Sequence, residues 1–153
     1  MDTYLAIASK RDVRAYAETP IPDDVVHRIL DAGRLAGSSR NRQERELVVV
    51  SDREALAAAV FAPENVLGAA LVVAIAGSAG GFDMGRAAQN MMLAAWNDGV
   101  VSCPSGQRDP DAVADECRSG FPALSAAGRG TCGDGDRFAL AIGIEVNAQG
   151  ELL

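Results

Sequence analysis

The chain has 153 residues, a length that suits one domain with a single core, and 48% of them are hydrophobic, which excludes a wholly disordered chain. Acidic residues outnumber basic ones 21 to 14, giving a net charge of −7 and excluding a generally basic nucleic-acid binder. The imbalance is local: residues 1–50 carry 8 of each sign, so an anionic ligand is expected in the N-terminal third.

In chain order, Tyr4, Ile7 and Ala8 at helical spacing predict a short helix over 2–9. Lys10 to Tyr16 is charged and predicted irregular. Pro20-Ile21-Pro22-Asp23-Asp24 reads as a helix start, and Val25, Val26, Ile29, Leu30, Gly33 and Leu35 mark its apolar face through residue 36. Residues 37–43, GSSRNRQ, form a polar loop. A strand follows at Leu47–Val50, then a helix from after Ser51-Asp52 to about Val60. The apolar run Val66–Ala79 is too short to span a membrane and reads as a buried strand, with Leu71–Ala76 covered on both faces. Asp83–Asp98 is the longest helix. Met84, Ala87, Ala88, Met91, Met92, Ala95 and Trp96 fill one face, and Gly99 ends it. Gln89 and Asn90 in so apolar a helix are expected to find partners at a helix–helix or subunit contact. Cys103-Pro104-Ser105-Gly106 reads as a turn, Asp111–Cys117 as a further helix, and Phe138–Val146 as a last strand before a tail over 147–153. Residues 1–146 therefore read as one domain, with an atypical glycine-rich segment at 117–136.

Three cysteines and one histidine, with no CxxC pair, give neither a disulfide framework nor a zinc site, so no metal is expected. A reducing compartment fits this usage, and the N-terminus has no apolar run of signal-peptide type, so a cytoplasmic location is expected.

Four segments carry candidate chemistry. Lys10, Arg11 and Arg14 lie within five positions beside a helix and suit a phosphate, although the same density of charge also makes an ordinary solvated turn. Ser38, Ser39, Asn41 and Gln43 offer donors and acceptors to a planar heterocycle, or form a plain polar loop. The long helix presents small residues to which another backbone can come close. The glycine in Pro104-Ser105-Gly106-Gln107 permits a ligand to approach backbone N–H groups, though a turn needs no ligand to explain it. Neighbouring titratable groups of acid–base type are not found, and the lone His27 reads as a helix-surface or packed residue.

In this order and spacing, SKRDVRAY, AGSSRNRQ and DMGRAAQNMMLAAWNDGV followed by SCPSG resemble the FMN-dependent nitroreductase family over about residues 3–115. The resemblance implies an α+β sandwich with a central mixed sheet flanked by helices, built as an intertwined homodimer with FMN at the interface. It implies that Lys10, Arg11, Asp12 and Arg14 hold the FMN phosphate and ribityl chain. It places Ser38, Ser39, Asn41 and Gln43 beside the isoalloxazine of the other subunit, and the turn of Pro104, Ser105, Gly106 and Gln107, with its backbone amides, at the flavin N5 and O4 edge. The implied activity is hydride transfer from NAD(P)H through the flavin to an electron-poor small-molecule acceptor such as a nitroaromatic or quinone, with no catalytic side chain required. The alternative is a non-catalytic flavin-binding or structural relative. Asp12 departs from the family, which usually has serine there. The ending departs too: after Phe138–Gly143 no Lys or Arg follows to complete a phosphate site, leaving Arg129 and Arg137 as the last cations. The Gly, Arg and Cys content of 117–136 resembles a GC-rich coding region read in another frame, which sequencing the gene would test.

Overall fold

The structure, a computed structural model, describes residues 2–76, 81–109, 111–113 and 138–143. Helix α1 (Thr3–Ser9) starts at Asp2, whose carboxylate accepts the Tyr4 and Leu5 N–H groups at 3.0 and 3.2 Å. Helix α2 (Asp23–Arg34) carries two acids in its first turn and an arginine in its last, as the helix dipole favours. It buries Val25, Ile29 and Gly33, one residue per turn. Strand β1 (Glu46–Val49) is followed by α3 (Arg53–Ala58), capped by Asp52, and α4 (Pro63–Leu67), with proline in the first turn. Next come β2 (Leu71–Ala76), α5 (Gly81–Asn97), β3 (Val101–Ser105) and β4 (Phe138–Gly143).

The sheet order is β1-β2-β4-β3, and every ladder between these strands is antiparallel. Its parallel component is an isolated bridge between Asp12 and Ser102 on the outer edge of β3. β2 is buried at every position, and its side chains divide by alternation. Leu71, Val73 and Ile75 face a core with Ile29, Met84, Ala87, Met91 and Ala95 of α2 and α5. Val72 and Ala74 face a second core with Leu56, Ala57, Val60 and Val66 of α3 and α4. Fully burying a side chain such as Ile29 or Met91 contributes roughly 1.5–3 kcal/mol. The first core closes tightly because Gly33 lacks a side chain: a Cβ there would lie 2.8 Å from Met91 Cγ and 2.9 Å from Leu47 Cδ1.

Several sequence expectations hold. α2, β2 and α5 lie where the patterning places them. Gly99, at φ +74°, ends α5 with Val100 N–H donating to the Ala95 carbonyl at 2.9 Å. Asn90 does meet a helix, donating to the Ala32 carbonyl of α2 at 3.3 Å, although Gln89 and Asn90 are exposed rather than buried. The helix expected from after Ser51-Asp52 to about Val60 is α3, and α4, opening on Pro63, is a further short helix. Two expectations need correcting. Val66 belongs to α4, so the strand starts only at Leu71. Cys103-Pro104-Ser105 is strand, not turn. Proline fits there because β3 is an edge strand. Ser102 turns its carbonyl outward to Val13 N–H, at 3.2 Å, and Pro104, two residues on, turns its nitrogen the same way, away from β4. Residues 111–113 are helical; the rest of the expected 111–117 helix, the glycine-rich segment, the strand beyond Gly143 and the tail lie outside the described residues.

Candidate functional site

The outer edge of β3 brings the first and fourth candidate segments together. The Asp12–Ser102 bridge lays residues 10–14 along the strand. Lys10, almost buried, makes an ion pair with Asp12, and its ammonium also touches Met92 Sδ at 3.3 Å. The Lys10 side chain is 10% exposed and that of Asp12 47%, so the carboxylate stands on the solvent side of the pair. Arg11 turns back onto the end of α1, where one guanidinium nitrogen donates to the carbonyls of Ala8, Ser9 and Lys10 at 2.9–3.0 Å. It caps a helix C-terminus, as cations commonly do. Arg14 is exposed, and its charge favours the ionised forms of Tyr16 and Cys103. Burial outweighs that pull and pushes both groups up, so the Cys103 thiol and Tyr16 phenol stay protonated at neutral pH.

Just past the strand, Phe61 N–H donates to the Gly106 carbonyl at 3.0 Å, and Val60 bridges Gln107. Arg108 and Asp109 N–H both donate to the Ala59 carbonyl. The Gly106-Gln107 bend is thus held by residues 59–61, and Phe61 stands beside it, largely exposed. Within this frame Ser102 Oγ, Ser105 Oγ, Gln107 Nε2 and Tyr16 OH are buried without a hydrogen-bond partner among the described residues. Such groups are few in folded proteins. Ser105 and Gln107, two apart, share a side of the chain, whereas Ser102, three before Ser105 on β3, points to the opposite face.

The second candidate segment lies elsewhere. Ser38 Oγ accepts Gln43 N–H at 2.8 Å, and Asn41 Oδ1 accepts the Gln43 amide at 3.0 Å. Ser39 N–H donates to the buried Asp83 carboxylate at 2.7 Å. Arg40, Asn41 and Gln43 have φ between +53° and +54°, a left-handed shape that asparagine tolerates and arginine and glutamine adopt only when held. Arg86 covers Gly37 so closely that a Cβ there would lie 2.8 Å from its guanidinium. This loop therefore sits at the start of α5, against Asp83 and Arg86. Lys10 touches Met92, and Trp96 Nε1 donates to Ser9 Oγ at 2.9 Å, near the helix's other end. Nine residues from Asp83 to Met92 make about 14 Å of helix.

The structure thus lays residues 12–14 against Ser102 and Cys103, where the Cys103–Gln107 segment begins, while Ser38, Ser39, Asn41 and Gln43 lie at the other end of α5. A groove of about 570 Å³ between α2 and β1 is lined by His27, Leu30, Asp31, Arg34, Gln43, Arg45 and Leu47. It shares Gln43 with the expected site, and it is lined by Arg45, whose Nη1 is likewise buried without a partner among the described residues. Asp83, Arg86, Tyr16 and Phe61 were not singled out as site residues. Asp83 and Arg86, three apart at the start of the long helix, were a visible signal; the place of Phe61 depends on a contact some 45 residues away in sequence.

Residues 7–80 match the model of the Nitroreductase family. A nitroreductase family protein from Clostridium novyi superposes with a TM-score of 0.74 at 17% identity, over 99% of this chain and 89% of that one. The chain has the nitroreductase fold. The resemblance read from the motifs is real over the matched residues, and other solved nitroreductase-fold chains agree. A protein described as a nitroreductase from Desulfovibrio desulfuricans, in complex with FMN, gives a TM-score of 0.69 at 24% identity over 94% of this chain and 86% of that one. The NADPH:FMN oxidoreductase from Vibrio harveyi, complexed with NAD+, gives 0.72 at 22% over 95% and 69%. No curated protein matches the sequence. Among the described residues, no helix is long and apolar enough to cross a membrane.

Proposed function

We propose that the chain is an FMN-dependent oxidoreductase of nitroreductase type. Bound FMN would accept hydride from NADH or NADPH and deliver it to an electron-poor acceptor such as a nitroaromatic or quinone. The observation that carries this reading is the bridge that lays the cationic segment 10–14 along β3, which leads into Ser105 and Gln107, whose Oγ and Nε2 are buried without a partner among the described residues. Their chemistry fits a flavin: Ser105 Oγ and Gln107 Nε2 can donate to a carbonyl-bearing heterocycle, and Lys10 and Arg14 can attract its phosphate. Lys10 and Arg14 would then bind the phosphate end, with Asp12 beside Lys10, while Pro104 to Gln107 hold the ring edge. Donors fixed by residues 59–61 would stabilise negative charge on the bound ring without having to reorganise.

The second half of the site comes, in this reading, from a second copy of the chain. Ser38, Ser39, Asn41 and Gln43 lie at the far end of α5 from Lys10, so a homodimer that sets one chain's loop against the other's strand edge would complete it. A soluble, cytoplasmic homodimer is the form we propose.

The test is to add FMN to the purified protein, remove free flavin, and record the visible spectrum before and after anaerobic NADH and NADPH. A retained band that bleaches supports the oxidoreductase. A band that stays oxidised indicates a flavin holder, a reading favoured by the engagement of Lys10 and Arg11 with groups of the chain itself. No retained band, and no binding in titration, overturns the assignment.

A further inference from the structure

Lys10 is the least exposed cation of the first segment, and it has a resident carboxylate partner in Asp12. A nearly buried ammonium is costly unless it is paired. Asp12 supplies the pair from the solvent side, where an incoming anion must also arrive. Arg11 does not relieve the competition, because its guanidinium is turned onto the end of α1.

We propose that Asp12 is a built-in counterion that occupies the phosphate position of the flavin site and limits the preference of this chain for phosphorylated flavin. The inference rests on the flavin reading above and deepens it. With no ligand bound, Asp12 neutralises Lys10 and holds it against Met92. When a phosphate arrives, two anions contend for the Lys10 ammonium, and the exposed Arg14 is the remaining cation of the segment, so the phosphate adds less to binding. The chain then prefers FMN over riboflavin only weakly, and the isoalloxazine contacts dominate. Asp12 is a specificity-determining residue in this scheme, not a catalytic one.

The experiment is a fluorescence titration of the purified flavin-free protein with FMN and with riboflavin, for the parent, Asp12→Ser and Asp12→Asn. Asn keeps the shape of the side chain and removes its charge, which guards against a serine variant that fails to fold. Both variants should bind FMN on the order of tenfold more tightly, one charge-assisted contact's worth, with riboflavin affinity nearly unchanged. Inorganic phosphate should raise the melting temperature of the variants more than that of the parent, because only the variants leave Lys10 without its carboxylate. An FMN-to-riboflavin affinity ratio that is the same in parent and variants overturns the inference while leaving the flavin assignment intact. If neither flavin binds any of the three proteins, the flavin assignment fails. The phosphate arm then decides alone: selective stabilisation of the variants upholds Asp12 as an anion competitor, and equal stabilisation overturns it.

Discussion

The two ends of α5 solve their polar chemistry in opposite ways. At the start of the helix, the 37–43 loop satisfies itself: Asp83 receives Ser39, Ser38 receives Gln43, and Asn41 receives the Gln43 amide. Toward its end, the strand edge beside Lys10 leaves hydroxyls and an amide buried without partners. The comparison separates two meanings of a polar residue in a core. Where the partners are internal, the group serves the fold, and removing it should cost stability. Where they are missing, the group adds nothing to the free fold, and removing it should cost binding.

The largest expected effect lies in the apolar packing that both ends share. Met91→Ala should destabilise the protein by about 3 kcal/mol, lowering the melting temperature by roughly 6–12 °C. Because Met91 sits on Gly33, adding Gly33→Ala to that variant should recover part of the loss, whereas Gly33→Ala alone meets Met91. Additive single and double variants in denaturant melts would sink this picture.

Asp83→Ala should cost about 2 kcal/mol, because it strands the Ser39 N–H and frees the loop from α5. The left-handed residues 40, 41 and 43 should then exchange their amide hydrogens faster. Ser105→Ala probes the other end. Its melting temperature in flavin-free protein should match the parent to within about 0.5 kcal/mol of stability. Its FMN affinity should fall about fivefold, the loss of one hydrogen bond. A large loss of stability in Ser105→Ala would erase the contrast between the two ends.

The smallest effect is electrostatic. Arg28 bonds Asp24 and Asp98 at 2.8 Å, and this pairing holds the Asp24 carboxyl below its usual range. A depressed carboxyl stabilises the fold above its ordinary range, and that contribution is lost as pH falls through the depressed value. Arg28→Ala should therefore melt slightly below the parent at neutral pH, and the gap should close in acid and in high salt.

The main elements were legible because their patterns are long. The Val25-Ile29-Gly33 stripe, the continuous β2 run and the broad apolar face of α5 each repeat often enough to fix a period. α4 was not legible, since five residues opening on proline carry too little periodicity against the neighbouring apolar run. Pro104 misled for a physical reason: proline between serine and cysteine reads as a turn unless the strand is known to be at an edge. The candidate site was legible as segments and not as contacts. Motif order suggests that residues 10–14 and 104–107 serve one ligand, and what the structure adds is the bridge that sets Asp12 beside Ser102. That Arg11 would cap α1 and Asp12 would pair with Lys10 depends on side-chain directions that spacing does not encode.

The position of β4 has a consequence for synthesis. The last described strand of the chain lies between β2 and β3, and among the described residues β3 reaches the rest of the sheet through it. A nascent chain that has not yet reached Phe138 must therefore hold two open strand edges, and the edge that carries the candidate site has no sheet to belong to. Such unpaired edges invite association with other chains. Binding competence should thus appear late on the ribosome, when residues 138–143 have emerged, rather than growing in step with chain length.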